Sequence, residues 1–182
     1  MSKLPHIEAV IPVYNEEQSI PLLLSELDEV KTKLSSQATL SYLFINDGST
    51  DGTSALLQRL HKERTDLRFV QLIHNFGHGA ALACGIDFFQ GDLALFMDAD
   101  LQDPPSALPL LLEEYKKGAD TVVVSRSERS ETLSILFKTF YFLLHKTSKG
   151  LPSISFGTHS LIHRSVIERM KTQKERHRYF PG

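Results

Sequence analysis

Short apolar runs alternate with stretches of helical spacing along most of the chain. Strand-length apolar runs occupy residues 7–12, 40–46, 68–73, 93–97, 120–125 and 153–162. Between them, apolar residues recur every three or four positions, as on the buried face of a helix, at residues 20–30, 55–60, 80–85, 108–115 and 164–171. This alternation predicts an α/β domain with a mostly parallel sheet that helices cover on both faces.

The run at 93–97 ends abruptly in acidic residues and then two prolines. In an extended backbone Asp98, Asp100 and Gln102 would leave on the same face, with the two aspartates about 6–7 Å apart. That spacing suits one hard cation such as Mg²⁺ or Mn²⁺, which prefers oxygen ligands. The same residues are also typical of an exposed Asx-rich turn, and the pattern alone leaves both interpretations open.

Polar residues follow the earlier strands as well. Asp47 comes directly after the run at 40–46 and can face a ligand in the same crevice as Asp98, because parallel strands end at one edge of a sheet. Ser49 or Asp51 is expected to cap the next helix. Pro12 is expected to end the first strand, because proline cannot donate a hydrogen bond to a central ladder.

The turn after Pro12 predicts the start of the first helix. Asn15 stands where an N-cap is expected, and Glu16 and Glu17 would occupy the positive first turn.

The loop after residues 68–73 is rich in glycine and histidine. Gly77 and Gly79 just before a helix would let the backbone approach an anion. His74 and His78 could be metal ligands, although ordinary polar loop residues are the favoured interpretation. The loop matches neither the dinucleotide-binding glycine fingerprint nor a P-loop, which argues against both of those classes.

Charge divides the chain into two parts. Residues 1–125 carry 9 Lys and Arg against 18 Asp and Glu, whereas residues 126–182 carry 11 against 4. The acidic part is suited to holding a cation, and the basic part to meeting phosphates or an anionic membrane surface. Nucleic-acid binding is not expected, because the basic residues cluster on the tail and do not interleave with aromatic residues over a sheet.

Size and cysteine content indicate one domain in a reducing setting. The length of 182 residues fits a single domain. The single cysteine, Cys84, excludes an intrachain disulfide and is predicted to pack within a helix. The start of the chain lacks the apolar core of a signal peptide.

Residues 133–144 are apolar almost all round and have basic flanks. They are too few to span a membrane. They predict either a helix lying in the bilayer interface or a buried helix that closes the domain, and we weigh these two interpretations equally.

Four motifs occur in one order over about ninety residues. They are Ile-Pro-Val-Tyr-Asn-Glu-Glu at 11–17, Asn-Asp-Gly-Ser-Thr-Asp-Gly at 46–52, Asn-Phe-Gly-His-Gly-Ala-Ala at 75–81 and Met-Asp-Ala-Asp-Leu-Gln-Asp-Pro-Pro at 97–105. Together they resemble glycosyltransferase family 2, in particular its polyprenyl-phosphate branch, the dolichol-phosphate-mannose-synthase-like enzymes. The resemblance continues through residues 156–162.

The resemblance implies an A-type glycosyltransferase fold, with a Rossmann-like, mostly parallel sheet, and a nucleotide diphosphate sugar as donor. By this resemblance Tyr14, Glu16 and Asp47 hold the nucleobase and ribose end. Asp98 lies by the ribose and the metal, while Asp100 and Gln102 coordinate the divalent ion, Mg²⁺ or Mn²⁺, that bridges the diphosphate. The donor-binding set is Pro12, Tyr14, Glu16, Asp47, Gly77, Asp98 and Ala99, and the metal set is Asp98, Asp100 and Gln102.

Arginines after the fifth predicted strand complete the expected site. Arg126 and Arg129, with Lys138, are predicted to grip the acceptor phosphate or the donor diphosphate. The predicted catalytic residues are Asp98, Asp100, Asp103, Arg126 and Arg129.

The chain departs from the resembled family at one place. Many relatives carry an acidic residue where Thr158 stands here, and an arginine where Ser160 stands. A carboxylate base at this point is therefore not expected, and a phosphate acceptor, which is already ionised, is favoured over an alcohol. Asp103 is the expected base if the acceptor is an alcohol.

The sequence therefore predicts a metal-dependent, inverting glycosyltransferase that transfers sugar to a polyprenyl phosphate at the cytoplasmic membrane face. A UDP sugar is favoured over a GDP sugar. Residues 1–125 would bind donor and metal, and residues 126–182 would face the acceptor and the membrane surface. The chain is expected to be either a fragment truncated before transmembrane helices, which members of the resembled branch commonly carry, or a naturally short form. A saccharide acceptor, an inactive donor-binding scaffold and a homo-oligomer stay open.

Overall fold

The computed structural model describes residues 4–102, 104–125 and 156–172. The strands are β1 (His6–Val13), β2 (Thr39–Asn46), β3 (Leu67–Gln71), β4 (Leu93–Phe96), β5 (Thr121–Ser125) and β6 (Phe156–His163). The helices are α1 (Ser19–Lys33), α2 (Thr53–Glu63), α3 (His78–Phe88), α4 (Leu108–Lys116) and α5 (Arg164–Thr172), and a 3₁₀ turn, Pro105–Ala107, precedes α4. The predicted α/β organisation is confirmed.

The six strands form one mixed sheet in the order β3-β2-β1-β4-β6-β5. β1 pairs in parallel with β2 and β4, and β2 pairs in parallel with β3. β6 runs antiparallel between β4 and β5, so β5 points in the same direction as β4. The prediction of a mostly parallel sheet is confirmed, and β6 is the reversed strand.

Alternate residues of β1 face two separate cores. Ile7, Ala9 and Ile11 pack on one face of the sheet with buried residues of α1, α2 and α4. Val10 packs on the other face with α3 and α5. The period of two along a strand produces this division, so helices cover both faces as predicted. Cys84 lies in α3 and is half-buried against the second core, as expected.

Three local predictions around the first loop are wrong. The helix α1 begins at Ser19, so Asn15 is not its N-cap, and the first turn contains no acidic residue. β1 continues through Pro12 to Val13. Beyond Val10 this strand pairs only with β2, so the proline lies past the ladder with β4.

Several predicted features lie outside the described residues. These are the 133–144 segment, Asp103, Arg126, Arg129 and Lys138. Within the described ranges, no helix is both long enough and apolar enough to cross a bilayer.

An ion-pair network joins α1 to the segment between α2 and β3. Arg64 donates two hydrogen bonds of 2.7 Å to Asp28 and two of 3.0 Å to Asp66. Lys31 also donates to Asp66, and the hydroxyl of Tyr42 donates to Asp28. The Arg64 hydrogen bonds, supported by Lys31, lower the pKa of Asp66 from its usual 3.8 to about 2.

This network predicts acid sensitivity. Because the folded state lowers the pKa of Asp66, its contribution to stability is complete above the unfolded pKa and is lost as pH falls towards 2. We expect the free energy of unfolding, measured by urea titration from pH 5 to pH 2.5, to fall less steeply in Asp66→Asn than in the wild type. Arg64→Met should flatten the profile as well, since it removes the guanidinium. Equal slopes in all three proteins would contradict the prediction.

Candidate functional site

A pocket of about 310 Å³ opens at the carboxyl ends of β1, β2 and β4. Parallel pairing brings these three strand ends to one edge, where the following loops converge. The lining residues come from the end of β1, from the loops after β1, β2, β3 and β4, and from the first turn of α3. They are Pro12, Val13, Tyr14, Glu16, Asp47, Asn75, Gly77, His78, Ala81, Asp98, Ala99 and Asp100.

The structure brings together all seven residues of the predicted donor-binding set, and Asp100 lies with them. Their individual roles stay predictions. Sequence analysis did not assign Val13, Asn75, His78 or Ala81 to the site. Asn75, His78 and Ala81 belong to the motif at 75–81, so this motif was the signal in the sequence that could have identified them.

Asn15 fastens the loop after β1 to the loop after β2. Its Oδ1 accepts the backbone N–H groups of Thr50 at 2.8 Å and Asp51 at 3.3 Å, and its own N–H donates to Ser49 Oγ at 2.9 Å. Asn15 adopts a φ of 59°, a left-handed conformation that asparagine tolerates better than most residues. These bonds hold the backbone on either side of Tyr14 and Glu16, which line the pocket.

Neighbouring bonds reinforce the same junction. The N–H of Glu16 donates to Thr53 Oγ1 at 2.9 Å, and the N–H of Gly52 donates to the carboxylate of Glu17 at 3.1 Å. Asp51 accepts the N–H of Thr53, the first residue of α2. The N-cap of α2 is nevertheless Gly52, so the predicted capping by Ser49 or Asp51 is wrong.

Asp47 fastens the loop after β2 to the loop after β3. Its buried carboxylate accepts the N–H of Phe76 on Oδ1 and the N–H of Gly77 on Oδ2, both at 2.8 Å. Gly48 lies so close to this loop that an added Cβ would stand 2.3 Å from the carbonyl carbon of His74, and its φ of 68° also favours glycine. Asp47 therefore shapes the pocket as well as lining it.

The acidic turn after β4 differs from the extended chain that was predicted. β4 ends at Phe96, residues 99–102 bend, and Leu101 has a φ of 61°. Asp100 Oδ1 accepts the N–H of Gln102 at 3.0 Å, which closes an Asx turn. The premise of an extended run with alternating side chains is therefore wrong, because this local bond competes with extension. Asp98 and Asp100 still both line the pocket, whereas Gln102 is exposed outside the lining set.

The pocket wall is acidic. Four carboxylates, those of Glu16, Asp47, Asp98 and Asp100, line it, and the lining residues found in the described part of the chain include no lysine or arginine. Such a wall repels an anionic ligand unless a cation lies between them. The oxygen-rich pair Asp98 and Asp100 fits Mg²⁺ or Mn²⁺, which commonly take one or two carboxylates and complete their shell with water and phosphate. In the described ranges no three His, Cys, Asp or Glu side chains form a ready-made metal cage.

Thr158, which stands where many members of the resembled family carry an acidic residue, lies in β6. Ser160 pairs with Phe96, the last residue of β4. Because β6 runs antiparallel to β4, Thr158 lies beyond this pair, towards the carboxyl end of β4. Arg126 follows directly on β5, which ends at the same edge.

Comparison with proteins of known sequence identifies close relatives. The prophage bactoprenol glucosyl transferase homolog of Escherichia coli is 35% identical over 97% of this chain and 58% of its own length. The undecaprenyl-phosphate 4-deoxy-4-formamido-L-arabinose transferase of Aeromonas hydrophila is 33% identical over 96% of this chain and 54% of its own length. The chain therefore spans a little over half of each of these relatives.

Solved structures show the fold. Glucosyl-3-phosphoglycerate synthase from Mycobacterium tuberculosis, in complex with Mn²⁺, UDP and glucosyl-3-phosphoglycerate, superimposes with a TM-score of 0.61 at 22% identity and covers 89% of this chain and 58% of that one. A mannosyltransferase from Pyrobaculum calidifontis, in complex with GDP-mannose and Mn²⁺, gives a TM-score of 0.59 at 21% identity, covering 93% and 47%. These likenesses confirm the predicted A-type glycosyltransferase fold.

The family assignment rests on most of the chain. The family model described as glycosyl transferase family 2 matches residues 8–171. Together with relatives that share about a third of their residues with almost the whole chain, this match shows that the protein belongs to glycosyl transferase family 2.

Proposed function

We propose that this domain is a metal-dependent glycosyltransferase that moves a sugar from a nucleotide diphosphate sugar to a polyprenyl phosphate at the cytoplasmic face of a membrane. The observation that carries the proposal is the convergence of the whole predicted donor-binding set on one pocket. Residues 1–125 supply the described part of this pocket. We assign the acceptor and the membrane surface to residues 126–182.

The donor proposal rests on the shape and chemistry of the pocket. Its volume of about 310 Å³ is that of a small-molecule site, and a UDP sugar is the donor that we favour. Tyr14, with a side chain that is partly exposed at the pocket, offers an aromatic face for the base. Asp47 lines the same pocket, together with Gly77, whose N–H the Asp47 carboxylate accepts.

The metal proposal follows from charge. A diphosphate brought against four carboxylates needs positive charge, and Asp98 and Asp100 are the residues that would hold Mg²⁺ or Mn²⁺ there. When bound, such an ion stabilises the negative charge that develops on the leaving diphosphate. Arg126 and Arg129 are proposed to contribute further positive charge to the same groups.

The acceptor proposal rests on the relatives and on Thr158. Both reported relatives are named for transfer to bactoprenol or undecaprenyl phosphate. A phosphate oxygen of the acceptor is already ionised near neutral pH, so it can attack the anomeric carbon without a base at position 158. The new carbon–oxygen bond forms as the bond to the diphosphate breaks, and the diphosphate leaves with the bonding electrons. A single displacement of this kind inverts the anomeric centre.

Donor binding tests the first half of the proposal. We expect calorimetric titration of the full chain to show UDP binding that Mn²⁺ tightens. Asp100→Asn keeps an oxygen that can accept the Gln102 N–H but removes the charge, so the Mn²⁺-dependent gain should fall roughly 10- to 100-fold, the range seen when metal sites lose a supporting group. GDP should bind more weakly than UDP.

Asp120→Asn is the matched control for this titration. Asp120 is an exposed aspartate just before β5, at the opposite edge of the sheet from the pocket. We expect this variant to bind UDP as the wild type does. If the wild type binds neither UDP nor GDP, with or without Mn²⁺, the proposed function is refuted.

Acceptor choice tests the second half. We expect transfer of labelled sugar from a UDP-hexose to undecaprenyl phosphate in detergent micelles, with undecaprenol slower by about 10²–10⁴-fold because an alcohol needs a base to remove its proton. Equal transfer to the alcohol, or preferential transfer to a saccharide, would contradict the phosphate acceptor. Donor binding without turnover on any acceptor would indicate an inactive scaffold.

A further inference from the structure

We propose that His78 is a donor-binding residue which, together with Asp98, holds a hydroxyl group of the nucleotide ribose. This inference rests on the proposed function, because it assumes that a nucleotide occupies the pocket. It adds a residue that sequence analysis treated as an ordinary loop histidine.

His78 lies where such a contact is feasible. It is the first residue of α3 and lines the pocket, and its side chain is 48% exposed. Its Nε2 atom lies 3.7 Å from Oδ1 of Asp98, whose side chain is 30% exposed and also lines the pocket. Both groups are thus accessible to a ligand from the same cavity.

The distance between Nε2 of His78 and Oδ1 of Asp98 decides which hydrogen bonds these two atoms can make. A distance of 3.7 Å is too long for a direct hydrogen bond between Nε2 and Oδ1. It is short enough for one ligand oxygen to lie within hydrogen-bond distance, about 2.7–3.0 Å, of both atoms. The pair therefore forms a two-point site for a single oxygen atom.

Hydrogen-bond chemistry selects the kind of oxygen. An ionised carboxylate only accepts, and the Nε2–H tautomer of the imidazole donates from the atom that faces Asp98. A hydroxyl can donate to Asp98 and accept from His78 at the same time, whereas phosphate and carbonyl oxygens can only accept. The site is therefore complementary to a hydroxyl, and the ribose is the part of UDP that carries hydroxyl groups.

The second histidine of the same loop is placed differently. His74 stacks on Phe76 with ring centroids 3.7 Å apart, and its Nδ1 lies 3.3 Å from the carbonyl oxygen of Asn75. It is exposed and does not belong to the pocket lining. His74 is therefore a matched control, since it differs from His78 in the feature on which the inference depends.

The test compares ribose and deoxyribose ligands by calorimetry on the full chain. UDP, 2′-deoxy-UDP and 3′-deoxy-UDP would be titrated in EDTA and again with Mn²⁺. We expect the wild type to prefer UDP about tenfold over the analogue that lacks the contacted hydroxyl, a difference of ~1.4 kcal/mol. His78→Ala should weaken UDP binding about tenfold and leave binding of that analogue unchanged, so the preference disappears.

Two further variants sharpen the test. His74→Ala should keep the wild-type preference. His78→Gln, which retains a side-chain N–H donor, should restore part of it. Partial recovery of the ribose preference in His78→Gln would indicate that His78 donates a hydrogen bond to the ribose. If His78 only packed at the start of α3, glutamine would not restore this preference selectively.

Four results would overturn the inference. Equal loss of affinity for UDP and both deoxy analogues in His78→Ala would show a general effect on the pocket, and a loss confined to Mn²⁺ would assign His78 to the metal side. If the wild type binds UDP and His78→Ala keeps its ribose preference, this inference fails alone. If the wild type binds no nucleotide, the proposed function fails and the inference fails with it.

Discussion

Parallel pairing of β1 with both β2 and β4 is the constraint on which the site depends. It forces three strands to end at one edge, so the loops that follow them must share a small space. Loop backbones carry polar groups that need partners there. Side chains from neighbouring loops provide many of them, with Asn15 bonding the loop after β2 and Asp47 bonding the loop after β3.

These hydrogen bonds hold part of the pocket wall in place through contacts within the protein itself. The carboxylate of Asp47 is buried and already accepts two backbone N–H groups, so a ligand that meets it does not have to order it. The acidic turn after β4 is held more locally, by the Asp100 to Gln102 bond. In the proposed function, the metal and the diphosphate would bind at this acidic turn.

The sequence predicted what depends on local pattern. Buried apolar runs identified every strand that the structure describes, and parallel topology placed Asp47 and Asp98 at one edge. Asn15 was misassigned because its partners, Thr50 and Asp51, are some 35 positions away and no local spacing reveals them. The reversed direction of β6 depends on tertiary pairing, and the distinction between His74 and His78 depends on which of them faces Asp98.

The last residue of β5 and the first residue of β6 have a consequence for substrate range. Ser125 and Phe156 are register partners, so the chain that leaves the sheet at 125 returns beside its point of departure, at the edge that carries the pocket. Under the proposed function, the acceptor-facing residues that follow β5 start at this edge, so their exchange between relatives would leave the strands that carry the donor pocket in place.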